Sequence, residues 1–556
     1  MRIKGFLDIM SEHLKSYTLN NTTVVIDGHF LFYTMYRSSG LQYVLGPESD
    51  RFAKYIKKYF EVFKKANVKC LIVFKGGHEN EEMLYRGGVK RKLARANGFI
   101  LGGDYGNTIN PILAKDILLQ TLSEMNFKCI VCCRNDIVEE CSALAREFSC
   151  PVISYNIKYC FLADTYISYN PTRNFISDKN GNFELQIFTR DTFLKHYKIT
   201  IEKMILFMLL LDTCIFDENT FNNFFGAIKI TETFQRKYLS LLKWLHLNTE
   251  DQALQAILKH ISDDDRSKFL KEREILQITL SNNIEPKSNS VVNFINENEF
   301  QIKDKDPLWF EKGVYLRFID IDYIDLYYYK IGKGSHLIED FEADSSCLIC
   351  VDVIKYAYDL LTNFKGDVIT FWDDNSLQYE LSIKKPEYVA DFCVFENGWN
   401  NVKVLLLFEH FLVETLQSFH FEALERAPAD SRMLLIALVF FTRKKVGNFQ
   451  AEIYSIILSY VMLNVVANKV NIELISNVPE ITQKPSLDFT TDKDSVLIED
   501  CKVAAALTRK YFEVSFRELH YIFDPKIAHP LVEFERCLKE LNSLNKLCGS
   551  SYDATV

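Results

Sequence analysis

Thr23–His29 reads TVVIDGH: four strand-forming residues, an acid where the strand stops, and a glycine and histidine that open the next segment. A short apolar run ending on one polar residue is the pattern of a buried parallel strand that delivers a side chain to a sheet edge. The same pattern recurs downstream. Cys70–Phe74 (CLIVF) ends at Lys75 and Gly76-Gly77, Lys128–Cys133 is a third apolar run, and Val152–Ser154 is a fourth, followed by Tyr155-Asn156-Ile157-Lys158. Helical patterns separate these runs. Phe52–Ala66 places Phe52, Tyr55, Ile56, Tyr59, Phe60 and Phe63 on one stripe, and Ile112–Met125 and Ile137–Phe148 are likewise amphipathic. Alternation of strand and helix predicts an α/β domain with a largely parallel sheet in the first 160 residues.

Further along, Asp178-Lys179-Asn180-Gly181 between alternating apolar residues predicts a hairpin over 175–188. Met204–Leu211 and Gln235–Ile261 read as helices, and the Asn, Pro and Ser content of 281–290 reads as a linker. The second half is mainly helical in pattern: 402–421, 433–470 and Pro530–Leu547, with a polar stretch over 476–494.

The chain has 556 residues, 48% hydrophobic, with a formal net charge of −9. That length calls for more than one core. The acidic balance excludes a broadly basic nucleic-acid binder and leaves room for a local basic patch. Fourteen scattered cysteines and the lack of a signal-peptide pattern predict a reducing compartment, nucleus or cytosol. The longest apolar runs are too short to span a membrane, so no membrane partner is expected. Cys129/Cys132 and Cys347/Cys350 have zinc-ligand spacing, but they lie in apolar runs without a neighbouring histidine, which favours buried thiols.

MRIKGFLDIM at the N-terminus, VVIDGH, IVFKGG and CRNDIVEECSALAREFSCPVIS together resemble the XPG/flap-endonuclease superfamily with its PIN-like fold, and more closely the asteroid family within it. GFILGGDYGNTINPILAKDIL, RKYLSLLKWLHLNTEDQALQAILKHIS and, more weakly, PLWFEKGVYLRFIDIDYIDLYYYKIG extend the resemblance over about the first 365 residues. It implies a PIN-like, XPG-type sheet flanked by helices and followed by a mainly helical C-terminal region. It divides the chain into a PIN-like domain (1–215), a helical extension (216–285), a mixed region (286–370) and a helical remainder (371–556).

The resemblance also implies strand-end carboxylates holding two divalent metals that cut a phosphodiester. On this chain the family's metal positions fall on Asp27, Lys75, Asp136, Val138, Asn156, Lys158 and Cys214, with Asp212 two residues from the last. Two lysines and three neutral residues therefore stand where carboxylates are called for. They swing the local charge by roughly +7, more than the +4 of two Mg²⁺ ions, and a lysine 4 Å from a single positive charge repels it by about 4 kcal/mol. Metal-dependent hydrolysis is not expected. The residual metal candidates are Asp27, Asp136 and Asp212. The basic arch that grips DNA in flap endonucleases is represented by Arg86, Lys90, Arg91, Lys92 and Arg95, interrupted by Gly87-Gly88.

Structural readings stand beside these. An acid before glycine at a strand end caps the next helix, which suits Asp27, and Asp136–Glu139 is a capping-box pattern. Val138 belongs to an apolar series with Cys141, Leu144, Ala145 and Phe148. Lys75, Lys158 and the arginine-lysine cluster read equally as solvated side chains, and Tyr323, Tyr327, Tyr328 and Tyr329 read as core. Two functions follow. One is a non-catalytic asteroid-family binding or scaffold protein, without cofactor, whose partner is branched or single-stranded DNA or a repair or signalling protein. The alternative is a Mg-dependent structure-specific endonuclease working through Asp27, Asp136 and Asp212, with Lys75 or Lys158 stabilising the phosphorane.

Overall fold

The computed structural model describes residues 3, 6–41, 49–78, 110–132, 137–168, 183–230, 234–282, 307–332, 340, 343–366, 368–371, 377–380, 385–387, 389, 394–416, 419, 421–427, 429–445 and 525–553. The chain forms two compact units that interleave in sequence. The first comprises Met1–Ser38, Tyr55–Lys75 and Thr121–Lys305; the second comprises Ser39–Lys54, Gly76–Gln120 and Asp306–Val556.

The first unit is built on a seven-stranded sheet: β1 (Lys15–Leu19), β2 (Thr23–Asp27), β3 (Lys69–Lys75), β4 (Lys128–Cys132), β5 (Val152–Ser154), β6 (Thr165–Ser168) and β7 (Phe183–Thr189). Their order is β1-β7-β6-β5-β2-β3-β4. Strands β6, β5, β2, β3 and β4 run parallel, whereas β7 pairs antiparallel with both β6 and β1. This is the largely parallel arrangement that the strand-helix alternation predicts. Val24, Val25, Leu71, Ile72, Val73, Phe74, Ile130, Val152 and Ile153 are buried, which is why these strands read as continuous apolar runs rather than alternating ones.

Three strands are entered in the same way. Asn67, Asn126 and Ser149 each take a left-handed conformation. The residue after each donates to a carbonyl five positions back, as in Val68 N to Phe63 O, Phe127 N to Leu122 O and Cys150 N to Ala145 O. That is the Schellman stop, and it turns a helix into a strand within one or two residues.

The chain visits β2, β3 and β4 in sequence, then returns to the other side of β2 to lay down β5. The sheet's direction of growth thus reverses between β2 and β5. In open α/β sheets the strand C-terminal ends at such a reversal form the usual binding crevice.

β7, the second half of the hairpin expected over 175–188, pairs with β6 (Thr165–Ser168) as well as with β1, and the Asp178–Gly181 turn lies outside the described residues. The run Gln235–Ile261 is two helices, Phe234–Leu247 and Glu250–Lys259, because Thr249 and Gln252 form a reciprocal capping box that restarts the helix. A further helix, Asp263–Asn282, occupies the first two residues of the expected linker, and the rest of that stretch lies outside the described residues.

The second unit contains a small sheet of β8 (Ile331–Gly332), β9 (Val368–Phe371) and β10 (Leu377–Glu380), in the order β10-β9-β8. The same unit contains helices Leu308–Tyr315, Ile321–Tyr329, Val351–Leu361, Val402–Leu416, Arg432–Lys444 and Pro525–Leu547. Tyr323 is buried, Tyr327 stacks on Phe310 at 4.2 Å, and the Tyr329 hydroxyl donates to His78 O at 2.7 Å, so the tyrosine series is packing. Asp325, fully buried, accepts from His78 N at 2.7 Å and stands 2.9 Å from His78 Nδ1. Gly77 makes this approach possible, since a Cβ there would lie 2.5 Å from Ile324 Cγ2. The described cysteines are free thiols, and Cys350 Sγ lies 3.6 Å from Cys537 Sγ. Among the described residues no helix is long and apolar enough to cross a membrane.

Candidate functional site

Asp27 ends β2 and is almost fully buried. Its Oδ1 accepts from Phe30 N at 3.0 Å, the helix-capping contact expected of an acid at a strand end. Its Oδ2 accepts from Ser154 Oγ at 3.0 Å and from Tyr159 OH at 3.1 Å. One carboxylate thus ties together the start of helix Gly28–Ser39, the end of β5 and the short helix Tyr159–Leu162.

The parallel register explains the meeting. Ile26 stands opposite Ile153, so Asp27 and Ser154 are the next residues on adjacent strands at the reversal point. Gly28 then lets the chain turn tightly beside β3: a Cβ there would lie 2.9 Å from Val73 O.

From Ser154 the network runs outward through the loop. Ser154 Oγ accepts from Asn156 N, and Asn156 Oδ1 accepts from Lys158 N, both at 3.1 Å. Asn156 therefore spends its oxygen on the turn that starts the next helix. The helix Tyr159–Leu162 is held from behind. Arg190 Nη1 donates to Phe161 O at 3.0 Å and its Nη2 to Asp164 Oδ1 at 2.5 Å, while Arg146 Nη2 reaches Leu162 O at 3.3 Å. These cations satisfy carbonyls at the end of a helix too short to satisfy its own. Tyr159 also stacks on Tyr166, whose hydroxyl burial pushes well above its ordinary pKa.

Lys75, half-buried, ends β3 two residues beyond the level of Asp27 on the neighbouring strand. Val138, in the first turn of helix Ile137–Glu147, is buried with Cys141, Leu144 and Ala145. The helix starts where the capping pattern predicts, but Glu139 Oε1 accepts from Thr279 Oγ1 at 2.7 Å. Asp136 lies outside the described residues, as do Arg86, Lys90, Arg91, Lys92 and Arg95. Asp212 is buried at the end of helix Ile201–Leu211, its Oδ1 accepting from Cys214 N at 3.0 Å, and Cys214 is exposed on the turn.

The structure therefore gathers Asp27, Asn156 and Lys158 into one hydrogen-bonded segment, with Lys75 at the adjacent strand end. It adds Ser154 and Tyr159, which the sequence reading passed over. Ser154 carries a readable sign: it is the last residue of a strand that must lie beside β2 if the sheet reverses there.

Among the described residues, no group of three or more His, Cys, Asp or Glu side chains stands together in a way that could hold a metal ion. At the strand ends the oxygens of Asp27 already accept three hydrogen bonds, and the flanking positions hold a lysine, an apolar side chain, an amide committed to its own turn and a second lysine. Among the described residues at these strand ends, Asp27 is thus the one carboxylate of the family pattern, and Asp136 lies outside the described residues.

A family model, the asteroid N-terminal domain, matches residues 430–555. This region lies beyond the one in which the sequence reading found the family resemblance. The human protein named "Single-strand DNA endonuclease ASTE1" is 24% identical over 289 residues, covering 48% of this chain and 42% of that protein. "Protein asteroid" of Drosophila melanogaster is 21% identical over 344 residues, covering 49% and 39%. The chain thus spans about two-fifths of the length of the curated relatives it matches. Among solved structures, the catalytic core of Rad2 in complex with DNA substrate aligns at 12% identity and TM-score 0.33, over 58% of this chain and 98% of that one. Human GEN1 with Holliday junction DNA aligns at 11% and 0.33, over 76% and 99%. The chain is thus similar to asteroid and ASTE1 proteins over about half its length, and to the asteroid domain model over 430–555.

Proposed function

We propose that this chain is a DNA-binding member of a nuclease family whose strand-end site has lost metal-dependent hydrolysis. The observation that carries the reading is the state of Asp27. In two-metal chemistry a carboxylate here would turn its oxygens toward cations. Instead these oxygens accept from a backbone amide, a serine hydroxyl and a tyrosine hydroxyl. The carboxylate serves as a structural clamp, and the two lysines flanking the segment suit phosphates better than metal ions.

Single-stranded or branched DNA is the proposed partner, supported by the name of the human relative, a single-strand DNA endonuclease, and by the lysines at the strand ends. No cofactor is part of the reading; magnesium enters only if the chain is an active endonuclease with an altered site. Incubation with flap, overhang and single-stranded DNA in Mg²⁺ or Mn²⁺ separates the two. Binding without cleavage is expected. Cleavage that EDTA stops overturns the non-catalytic reading.

A further inference from the structure

Tyr155 is 50% exposed, yet it sits between two of the most constrained residues of the site. Its ring lies against that of half-buried Phe30, with centroids 5.6 Å apart and planes 11° from parallel. Asp27 sets both ring positions. It accepts from the amide of Phe30 itself and from the hydroxyl of Ser154, and Ser154 in turn accepts from the amide of Asn156, so Tyr155 is pinned from both sides. A mobile surface tyrosine would lose conformational entropy on binding, whereas a clamped one has already lost it. Lys75 ends β3, the strand on the other side of β2, and Lys158 follows Tyr155 by three residues, so two lysines and the aromatic pair all belong to the strand ends at the sheet's reversal point.

We infer that the Phe30–Tyr155 pair is a stacking platform for one unpaired base of a single-stranded nucleic acid, with Lys75 and Lys158 facing the adjoining phosphates. The inference rests on the DNA-binding reading above and deepens it. A paired base has both faces covered by its neighbours, and only an unpaired one offers a face to an exposed ring. An apolar protein side chain could also cover Tyr155, but the flanking lysines complement a polyanion. In this scheme Asp27 no longer serves chemistry; it is a positioning residue that keeps the two rings parallel.

The test uses the full chain and a fluorescent oligodeoxythymidine carrying 2-aminopurines. Anisotropy reports affinity, and quenching of 2-aminopurine reports stacking. The wild type is expected to bind and quench. Tyr155→Ala, an exposed substitution whose folding is checked by thermal melting, should lose the quenching and weaken binding roughly 5- to 100-fold. That factor should hold at low and high salt, because stacking releases no counterions. Tyr155→Phe, which keeps the ring, should behave as wild type, and blunt duplex DNA should not distinguish Tyr155→Ala from wild type. Unchanged affinity and quenching in Tyr155→Ala overturn the platform while the DNA-binding reading stands. A loss in Tyr155→Phe as large as in Tyr155→Ala assigns the effect to the hydroxyl and overturns stacking. Failure of the wild type to bind any oligonucleotide overturns both.

Discussion

At the scale of single residues, Asp27 is the hinge of the interpretation. Its three acceptor contacts lie out of water, where an unmade hydrogen bond is costly. Asp27→Asn keeps the shape but replaces one acceptor oxygen with a donor, leaving donors from β5 or the following helix unmatched. Stability should fall by about 1–3 kcal/mol, read as a lower urea midpoint with an unchanged slope. An unaltered midpoint would show that the clamp contributes nothing to the fold. Asp27 was legible because it ends an apolar run, and Val138 because it keeps the helical register of Cys141 and Leu144. Ser154 and Tyr159 were not, since they meet Asp27 across 127 and 132 residues of chain, a distance that no local pattern encodes.

At the scale of elements, turn and cap chemistry decides where runs begin and end. Gly28 begins its helix with no room for a Cβ against the backbone of β3. Gly28→Ala must push β2 and β3 apart and should cost about 1–3 kcal/mol, measured by chemical denaturation. Thr249 splits what reads as one helical run into two. Thr249→Ala removes the side chain that accepts from Gln252 N and should cost about 1 kcal/mol, seen as a lowered thermal midpoint. The strands of the parallel sheet were readable because burial on both faces leaves only apolar residues in them. The pairing of β7 with β6 was not, because a turn signal marks a reversal of the chain without naming the strand that it returns to.

At the scale of the whole molecule, two compact units are assembled from alternating stretches of sequence, so neither is a continuous segment. In the second unit, burial holds Asp359 and Glu535 up at about 8, and Asp359 has no hydrogen-bond partner for either carboxylate oxygen among the described residues. Unfolded, the same groups titrate near ~4. Between those values the folded chain retains protons that the unfolded chain has released, so their stabilising share is complete below about pH 4 and declines as pH rises toward about 8. Asp359→Asn and Glu535→Gln should each flatten the fall in stability between pH 5 and pH 8, measured by denaturation at several pH values. An unchanged pH profile would mean that these carboxyls are solvated.

The sequence by itself determined the class of fold and the positions where strands deliver polar side chains. Apolar periodicity and cap residues are local, and local physics suffices to make helices and parallel strands from them. It also determined that lysines, an amide and an apolar residue stand at positions where the family resemblance calls for carboxylates. Only the tertiary structure decided what became of Asp27. Whether a carboxylate faces a metal, a solvent or a ring of donors depends on which distant segments the sheet brings alongside it. Here the reversal between β2 and β5 places Ser154 and Tyr159 against Asp27, and sets Tyr155 on Phe30 in the open.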